Sequence, residues 1–354
     1  MKSELQQQEI QFVTSKDGTR IATATMGRGP TVVRAAHWLT HVSRDPESPI
    51  WRHWISELSS KNRLVRYDLR GCGLSDRNVS DISFEAWLED LEAVTEEIDE
   101  PFTLVGMSQG AALSIAYVLR HPEKVERLVL IGAYAQGIRA RATNAQHLIE
   151  AETLTNLIRL GWGSDANAFN EVFTNLFIPG GTVEQCSWWQ NLERETASPE
   201  TAAHIFEVLQ EIDVLDLAPK VTVPTLVLHA RGDARVPFEE GQGLAARIPN
   251  AQFVPLESAN HVLLEDEPAW ENFKSSFQAF LPLAPLSQPT ADDIELTPAE
   301  RAVLELVAKG LSNIDIAADQ NKREKTVRNQ VSTLFEKFGV HSRAELIVRV
   351  LSNP

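Results

Sequence analysis

Short apolar runs broken by turn residues alternate along the chain with stretches in which apolar side chains recur every three or four positions. The first kind reads as strand and the second as helix. Residues 10–13 and 20–24 flank Lys16-Asp17-Gly18 and predict a hairpin at a sheet edge. Residues 31–36 predict the next strand, which runs into His37-Trp38-Leu39. Residues 51–60 have helical period, with Trp51, Trp54, Ile55 and Leu58 on one face. A strand at 62–67 and an acidic amphipathic helix at 84–98 follow. Then come a strand at 102–105, an Ala-rich helix to Arg120 and a strand at 127–132. Further on, strands at 223–229 and 251–256 alternate with helices at 238–247 and 270–281. This alternation predicts the α/β class, with a mostly parallel sheet covered on both faces.

Residues 135–218 interrupt the alternation. They are helical in period, carry Trp162, Phe169, Phe173, Phe177, Trp188, Trp189 and Phe206, and are too many for a crossover helix. A helical cap inserted after a sheet strand is the simplest account. Any one of these aromatics is more simply core. As a group they suit the wall of an apolar pocket, and Trp162, Phe173 and Trp188 are its candidate lining, with Met107, His37 and Trp38. Beyond the first domain, taken as 1–283, the Pro-rich stretch 284–293 reads as a linker. Residues 294–354 then predict a small all-α domain of four helices. Thr297, Pro298 and Glu300 form a capping-box start, a helix runs to Ala308 and Gly310 ends it. Helices at 312–318, 325–338 and 343–351 follow, with Gly339 stopping the third and Ser342 capping the fourth.

Composition narrows the setting. The 354 residues, 43% hydrophobic, suit two domains with a sizeable core. Two cysteines, Cys72 and Cys186, are too few for a disulfide framework, so a reducing compartment is the default. The first eight residues lack the apolar core of a signal peptide, and no apolar run is long enough to span a bilayer. A cytoplasmic protein without a membrane partner is expected, and no motif asks for a metal or another cofactor. The net charge of −16 argues against nucleic acid for the chain as a whole. The charge is uneven, however. Residues 291–354 hold nine Lys/Arg against ten Asp/Glu, so nearly all the excess acid precedes them.

The chemistry sits at predicted strand ends. Gly106-Met107-Ser108-Gln109-Gly110 lies between a strand and a helix, the context of a nucleophile elbow. The bare pattern turns up by chance in roughly one chain in ten of this length. It gains weight from Asp233 and His261, which follow later strands in the order Ser, Asp, His. A serine nucleophile needs a base to take its proton and a carboxylate to orient that base. Together with Asp68-Leu69-Arg70-Gly71-Cys72-Gly73-Leu74-Ser75, Gly232-Asp233 with Val236-Pro237, and Asn260-His261, these motifs make residues 9–283 resemble a capped α/β-hydrolase. The resemblance implies Ser108 as nucleophile, Asp233 as acid, His261 as base and the Gln109 N–H as an oxyanion-hole donor. One position departs. The family has His-Gly after the third strand, whereas this chain has His37-Trp38-Leu39-Thr40-His41. Leu39 N–H is then the second candidate donor, in a pocket narrowed or reshaped by the Trp38 indole. The run 38–41 with 47–54 resembles a branch of these domains joined to signalling or transcriptional modules.

The C-terminal segment closely resembles a LuxR-type helix-turn-helix domain. The matching residues are Leu296-Thr297-Pro298-Ala299-Glu300-Arg301, Gly310-Leu311-Ser312-Asn313, Ile316-Ala317, Thr326-Val327-Arg328-Asn329 and Lys337-Phe338-Gly339-Val340-His341-Ser342-Arg343. The resemblance implies that the third helix enters the major groove and the fourth makes dimer contacts. Arg328, Asn329 and Ser332 are the implied base-reading residues; Arg323, Lys325 and Thr326 are the implied backbone contacts. Residues 322–349 hold seven basic side chains against three acidic ones, as phosphate contact requires. Gln320 and Lys322 stand where the family is apolar, Arg323 where it has a Ser cap, and Gln330 where it has His. A missing cap costs about 1 kcal/mol, so a weakly ordered turn is expected without DNA. Two functions follow. One is a dimeric transcriptional regulator that binds operator DNA and a small, largely apolar effector. The other is a working serine esterase or amidase with an accessory DNA-binding domain.

Overall fold

A computed structural model describes residues 8–38, 40–162, 167–281, 296–338, 340 and 342–351. Leu39, the 284–293 linker, Gly339 and His341 lie outside the described residues, as do the side chains of Phe169 and Arg349. The chain divides into two compact units, Met1–Pro282 and Leu283–Pro354.

The first unit is built on an eight-stranded sheet. Its strands are β1 (Glu9–Thr14), β2 (Arg20–Met26), β3 (Thr31–Arg34), β4 (Arg63–Tyr67), β5 (Phe102–Met107), β6 (Val125–Ile131), β7 (Thr225–Ala230) and β8 (Gln252–Leu256). They lie in the order β1-β2-β4-β3-β5-β6-β7-β8. The β1–β2 and β2–β4 pairs are antiparallel and the rest parallel. All residues of β5 and β7 are buried, as strands covered on both faces must be. The edge strand β1 is mostly exposed. Chain direction across the sheet reverses between β3 and β5. The crevice outside the carboxyl ends of two such strands is where open α/β sheets bind ligands.

Helices α1 (Arg52–Ser59), α2 (Phe84–Thr95) and α3 (Gln109–Arg120) fill the first half of the chain. Ser83 caps α2 by accepting from Ala86 N. That helix ends at Thr95, three residues short of the expected Ile98; Thr95 Oγ1 turns back to Leu91 O and meets Tyr117 Oη on α3. Between β6 and β7 stand the four cap helices, α4 (Ala145–Gly161), α5 (Asn167–Phe177), α6 (Val183–Thr196) and α7 (Pro199–Glu211). Helices α8 (Phe238–Arg247) and α9 (Pro268–Phe280) complete the unit.

The second unit holds α10 (Pro298–Ala308), α11 (Asn313–Asp319), α12 (Glu324–Phe338) and α13 (Arg343–Leu351). Capping boxes start α10 at Thr297 and α11 at Ser312. After α10, Gly310 turns the chain with φ +82°, a conformation that favours glycine. Val303, Val307, Ile316, Val327, Leu334, Phe338 and Leu346 form its core.

Candidate functional site

Ser108 sits in the turn between β5 and α3 with φ 54° and ψ −124°, outside the allowed basins of an ordinary residue. The surroundings enforce that turn. A Cβ on Gly106 would lie 2.5 Å from Gly110 O and 2.6 Å from Ala111 Cα, so only glycine lets the strand and helix pass. A Cβ on Gly110 would meet Ala36 O at 3.0 Å, so the segment leaving β3 rests against the first turn of α3. Gln109 N–H is the first amide of α3, one of the donors a helix leaves without an intrahelical partner. The expected second donor, Leu39, lies outside the described residues.

Asp233 and His261 come together. His261 Nδ1 donates to Asp233 Oδ2 at 2.7 Å, with both side chains buried. In a neutral ring that bond leaves Nε2 as a free base lone pair. Asp233 Oδ1 accepts from Arg235 N and Val236 N, each at 2.8 Å. Burial pushes the Asp233 carboxyl up, but the His261 charge and hydrogen bond, the Val236 amide and His229 outweigh it and hold the group below the ordinary carboxylate value. His261 Nε2 is buried and makes no hydrogen bond among the described residues, so the bond to Ser108 Oγ is not formed here.

Three neighbours were not read from the sequence. Gly132, just after β6, has φ +53°, and a Cβ there would lie 2.8 Å from His261 Cε1; the imidazole rests on bare backbone. His229, at the end of β7, stands 3.5 Å from Asp233 Oδ2 and bonds Val236 O through Nε2. Burial lowers its pKa. Behind His37, Asp45 Oδ2 joins Arg34 and Arg66 in a buried ion cluster at 3.3 and 3.1 Å. Arg66 Nη2 also reaches Val42 O, and Asp68 Oδ1 accepts from Val42 N, so the loop after β3 is tied from below. Burial pushes the Asp68 carboxyl up to about 7. Asp68 opens the motif that runs to Ser75, but nothing in that motif distinguishes a buried acid from one in a surface turn.

The candidate pocket residues are closely packed. Ser108 is 8% exposed, and His37, Trp38, Met107, Trp162 and Phe173 are buried. The Trp38 ring meets Trp162 at 5.3 Å and Phe206 at 5.6 Å, and Phe173 meets Phe206 at 6.4 Å. The crevice bounded by Trp38, Leu69, Cys72, Trp162, Ala197, Ala202 and Ile205 measures ≈ 10 Å³, room for about one water. Trp188 is half-buried against the core. Its neighbour Trp189 is the inward residue, stacked on Phe177 at 5.0 Å, and Phe177 faces the His261 ring at 5.7 Å. His37 donates through Nδ1 to Trp38 O at 2.8 Å, and burial first, then Arg34, holds its pKa well below the usual value. A separate groove of ≈ 690 Å³, lined in part by Phe84, Arg139, His204 and Glu207, includes none of these residues.

In the second unit, Val327, Val331, Leu334 and Phe338 turn one face of α12 into the core. Arg323, just before the helix, and Lys325, Thr326, Arg328, Asn329 and Ser332 on it are all exposed. Arg328 pairs with Glu324 one turn earlier. The residues that depart from the family pattern bond one another: Lys322 Nζ reaches Gln320 Oε1 at 2.6 Å and Gln330 Oε1 at 3.4 Å. With no Ser cap, Arg323 O accepts from Thr326 N and Val327 N, and Asn321 takes the positive φ of 50° that turns the chain. The turn therefore has its own closure in place of the missing cap.

Residues 46–268 match the family model described as alpha/beta hydrolase fold, and residues 295–350 match that of the bacterial regulatory proteins, luxR family. The chain is 25% identical over 260 residues to the AB hydrolase superfamily protein YisY of Bacillus subtilis (strain 168), covering 72% of this chain and 94% of that protein. It is 34% identical over 225 residues to a 2-hydroxymuconate semialdehyde hydrolase of Pseudomonas sp. (strain CF600), covering 60% of this chain and 74% of that protein. An esterase from Exiguobacterium antarcticum shares the fold with a TM-score of 0.65 at 24% identity, covering 76% of this chain and 98% of that one. Among the described residues, no helix is long and apolar enough to cross a membrane.

Proposed function

Because the chain belongs to the alpha/beta hydrolase fold family and ends in a luxR-family domain, we propose that it is a cytoplasmic, homodimeric transcriptional regulator whose hydrolase-fold domain binds a small, largely apolar effector. The observation that carries this reading is the exposed, basic α12 stripe of Arg323, Lys325, Thr326, Arg328, Asn329 and Ser332 in a chain whose net charge is −16. In a chain this acidic overall, one exposed face carries side chains suited to phosphate and base edges. Arg328, Asn329 and Ser332 read bases; Arg323, Lys325 and Thr326 hold the backbone. The effector lies under the cap against His37, Trp38, Met107, Trp162, Phe173 and Trp188. An effector regulates by preferring one arrangement of the protein over another. Footprinting on the promoter regions beside the gene is the test: protection of a palindromic site is expected, and no sequence-specific protection with or without candidate ligands contradicts the reading.

A second reading, active ester or amide hydrolysis, is favoured by the Asp233–His261 bond and the elbow at Ser108. Ser108 attacks the carbonyl and His261 Nε2 takes its proton. Asp233 holds the ring tautomer, and Gln109 N–H with Leu39 N–H receives the oxyanion. Relatives named as hydrolases and an esterase of the same fold agree with that chemistry. The two readings are compatible, since hydrolysing an effector ends or creates a signal. A fluorophosphonate probe separates them. Labelling that disappears in Ser108→Ala supports turnover; a DNA response unchanged in that variant makes catalysis dispensable to regulation.

A further inference from the structure

The cap is fastened to the His261 loop at the histidine itself. Phe177 O, at the end of α5, accepts from His261 N at 2.9 Å and from Val262 N at 3.1 Å. Three residues on, in the turn that leads to α6, Gly180 N donates to Asn260 Oδ1 at 2.8 Å. The Asn260 carboxamide is buried and its orientation is fixed from both ends, because Nδ2 faces the Glu267 carboxylate at 3.3 Å. Glu267 in turn accepts from Leu264 N at 2.6 Å and from Ser258 Oγ, and Ser258 Oγ accepts from Asn260 N at 2.9 Å. The fit at the cap is close: a Cβ on Gly180 would stand 3.2 Å from both Asn260 amide atoms.

This clasp matters because of what lies beneath it. Ser108 and the aromatics around it are buried, and the crevice beside Trp38 measures only ≈ 10 Å³, room for about one water. Among the described residues, a ligand larger than a water therefore needs the cap to move to reach Ser108. Moving the 177–180 turn takes the carbonyl acceptor from His261 N and Val262 N and the amide donor from Asn260 Oδ1 together. Phe177 also carries its ring away from the imidazole, which it faces at 5.7 Å.

We infer that Asn260 is a positioning residue that couples cap closure to the placement of His261, so that the imidazole is aligned over Ser108 only when the cap is seated. The inference rests on the reading of Ser108 and His261 as nucleophile and base. Its structural part is tested separately from that reading, by hydrogen exchange on the full chain. In Asn260→Ala, peptides covering 177–182 and 258–264 exchange faster together, by roughly fivefold, while the strands β5 and β6 keep their protection. Acceleration confined to 258–264, or none, overturns the coupling. The second arm is inactivation by a fluorophosphonate across a concentration series. Asn260→Ala lowers the limiting inactivation rate roughly fivefold and leaves the half-saturating concentration unchanged, the split that misplacement of the base produces. A raised half-saturating concentration with an unchanged limiting rate means a loosened cap alone and overturns the positioning role. Wild-type protein inert to the probe contradicts the reading of Ser108; the clasp is then decided by the exchange arm.

Discussion

At Glu193, on cap helix α6, a carboxylic acid is held without solvent. One oxygen accepts from Trp189 Nε1 at 3.1 Å and the other has no partner among the described residues. Burial pushes this carboxyl up to about 8 from an ordinary 4.5. Between pH 5 and pH 8 the folded chain thus keeps a proton that the unfolded chain has released. The contribution is fully present below 4.5 and is lost as pH rises towards 8, so stability falls across that window. Glu193→Gln is neutral throughout and keeps the acceptor for Trp189. Its thermal midpoint should match the wild type near pH 5 and exceed it at pH 8, the gap in stability growing by about 1 kcal/mol per pH unit. A constant gap between the two proteins would contradict the burial assignment. Gly132 permits a second prediction. Gly132→Ala places a methyl 2.8 Å from His261 Cε1 and forces a positive φ on alanine. A loss of about 1–2 kcal/mol in stability is expected, with fluorophosphonate labelling of Ser108 reduced by at least tenfold. Unimpaired labelling would mean that the added methyl at Gly132 is accommodated without moving His261.

At the scale of elements, the strands and helices were legible wherever period and punctuation agreed. The elbow is the clearest case: Gly106 and Gly110 are the positions where backbone passes backbone, and they are the positions the motif fixes. Asp233 and His261 were found because each follows an apolar run. Gly132 and His229 were not, because their roles come from atoms brought near by the sheet; Asn260 stands in the Asn260-His261 motif, but its bond to the cap comes from the fold rather than from any local pattern. The cap illustrates the same limit. Its aromatics are visible in the sequence, but which of two adjacent tryptophans, Trp188 or Trp189, is the more deeply buried is set by the packing of α6. In the second unit, the odd residues Gln320, Lys322 and Gln330 looked like three separate departures and turn out to be one bonded group. On α12, two substitutions separate readout from anchoring. Arg328→Ala should cost about 1–3 kcal/mol on a specific site and relax preference at one base position. Lys325→Ala should weaken binding to all sequences alike and reduce the salt slope by about 1. Fluorescence anisotropy across a salt series distinguishes them, and identical behaviour of the two variants would contradict the assignment.

At the scale of the molecule, an acidic hydrolase-fold unit and a nearly neutral helix-turn-helix unit share one chain. The acidic unit adds nothing attractive to DNA, so the proposed regulator would draw its affinity from the α12 stripe and from the proposed pairing of two copies on two half-sites. Selection of bound duplexes from a random pool by the full-length protein, at physiological salt, tests this most directly. An enriched, two-fold symmetric sequence is predicted, with enrichment abolished in Arg328→Ala/Asn329→Ala. Recovery of sequences no different from the starting pool, or enrichment that survives the double substitution, would contradict it.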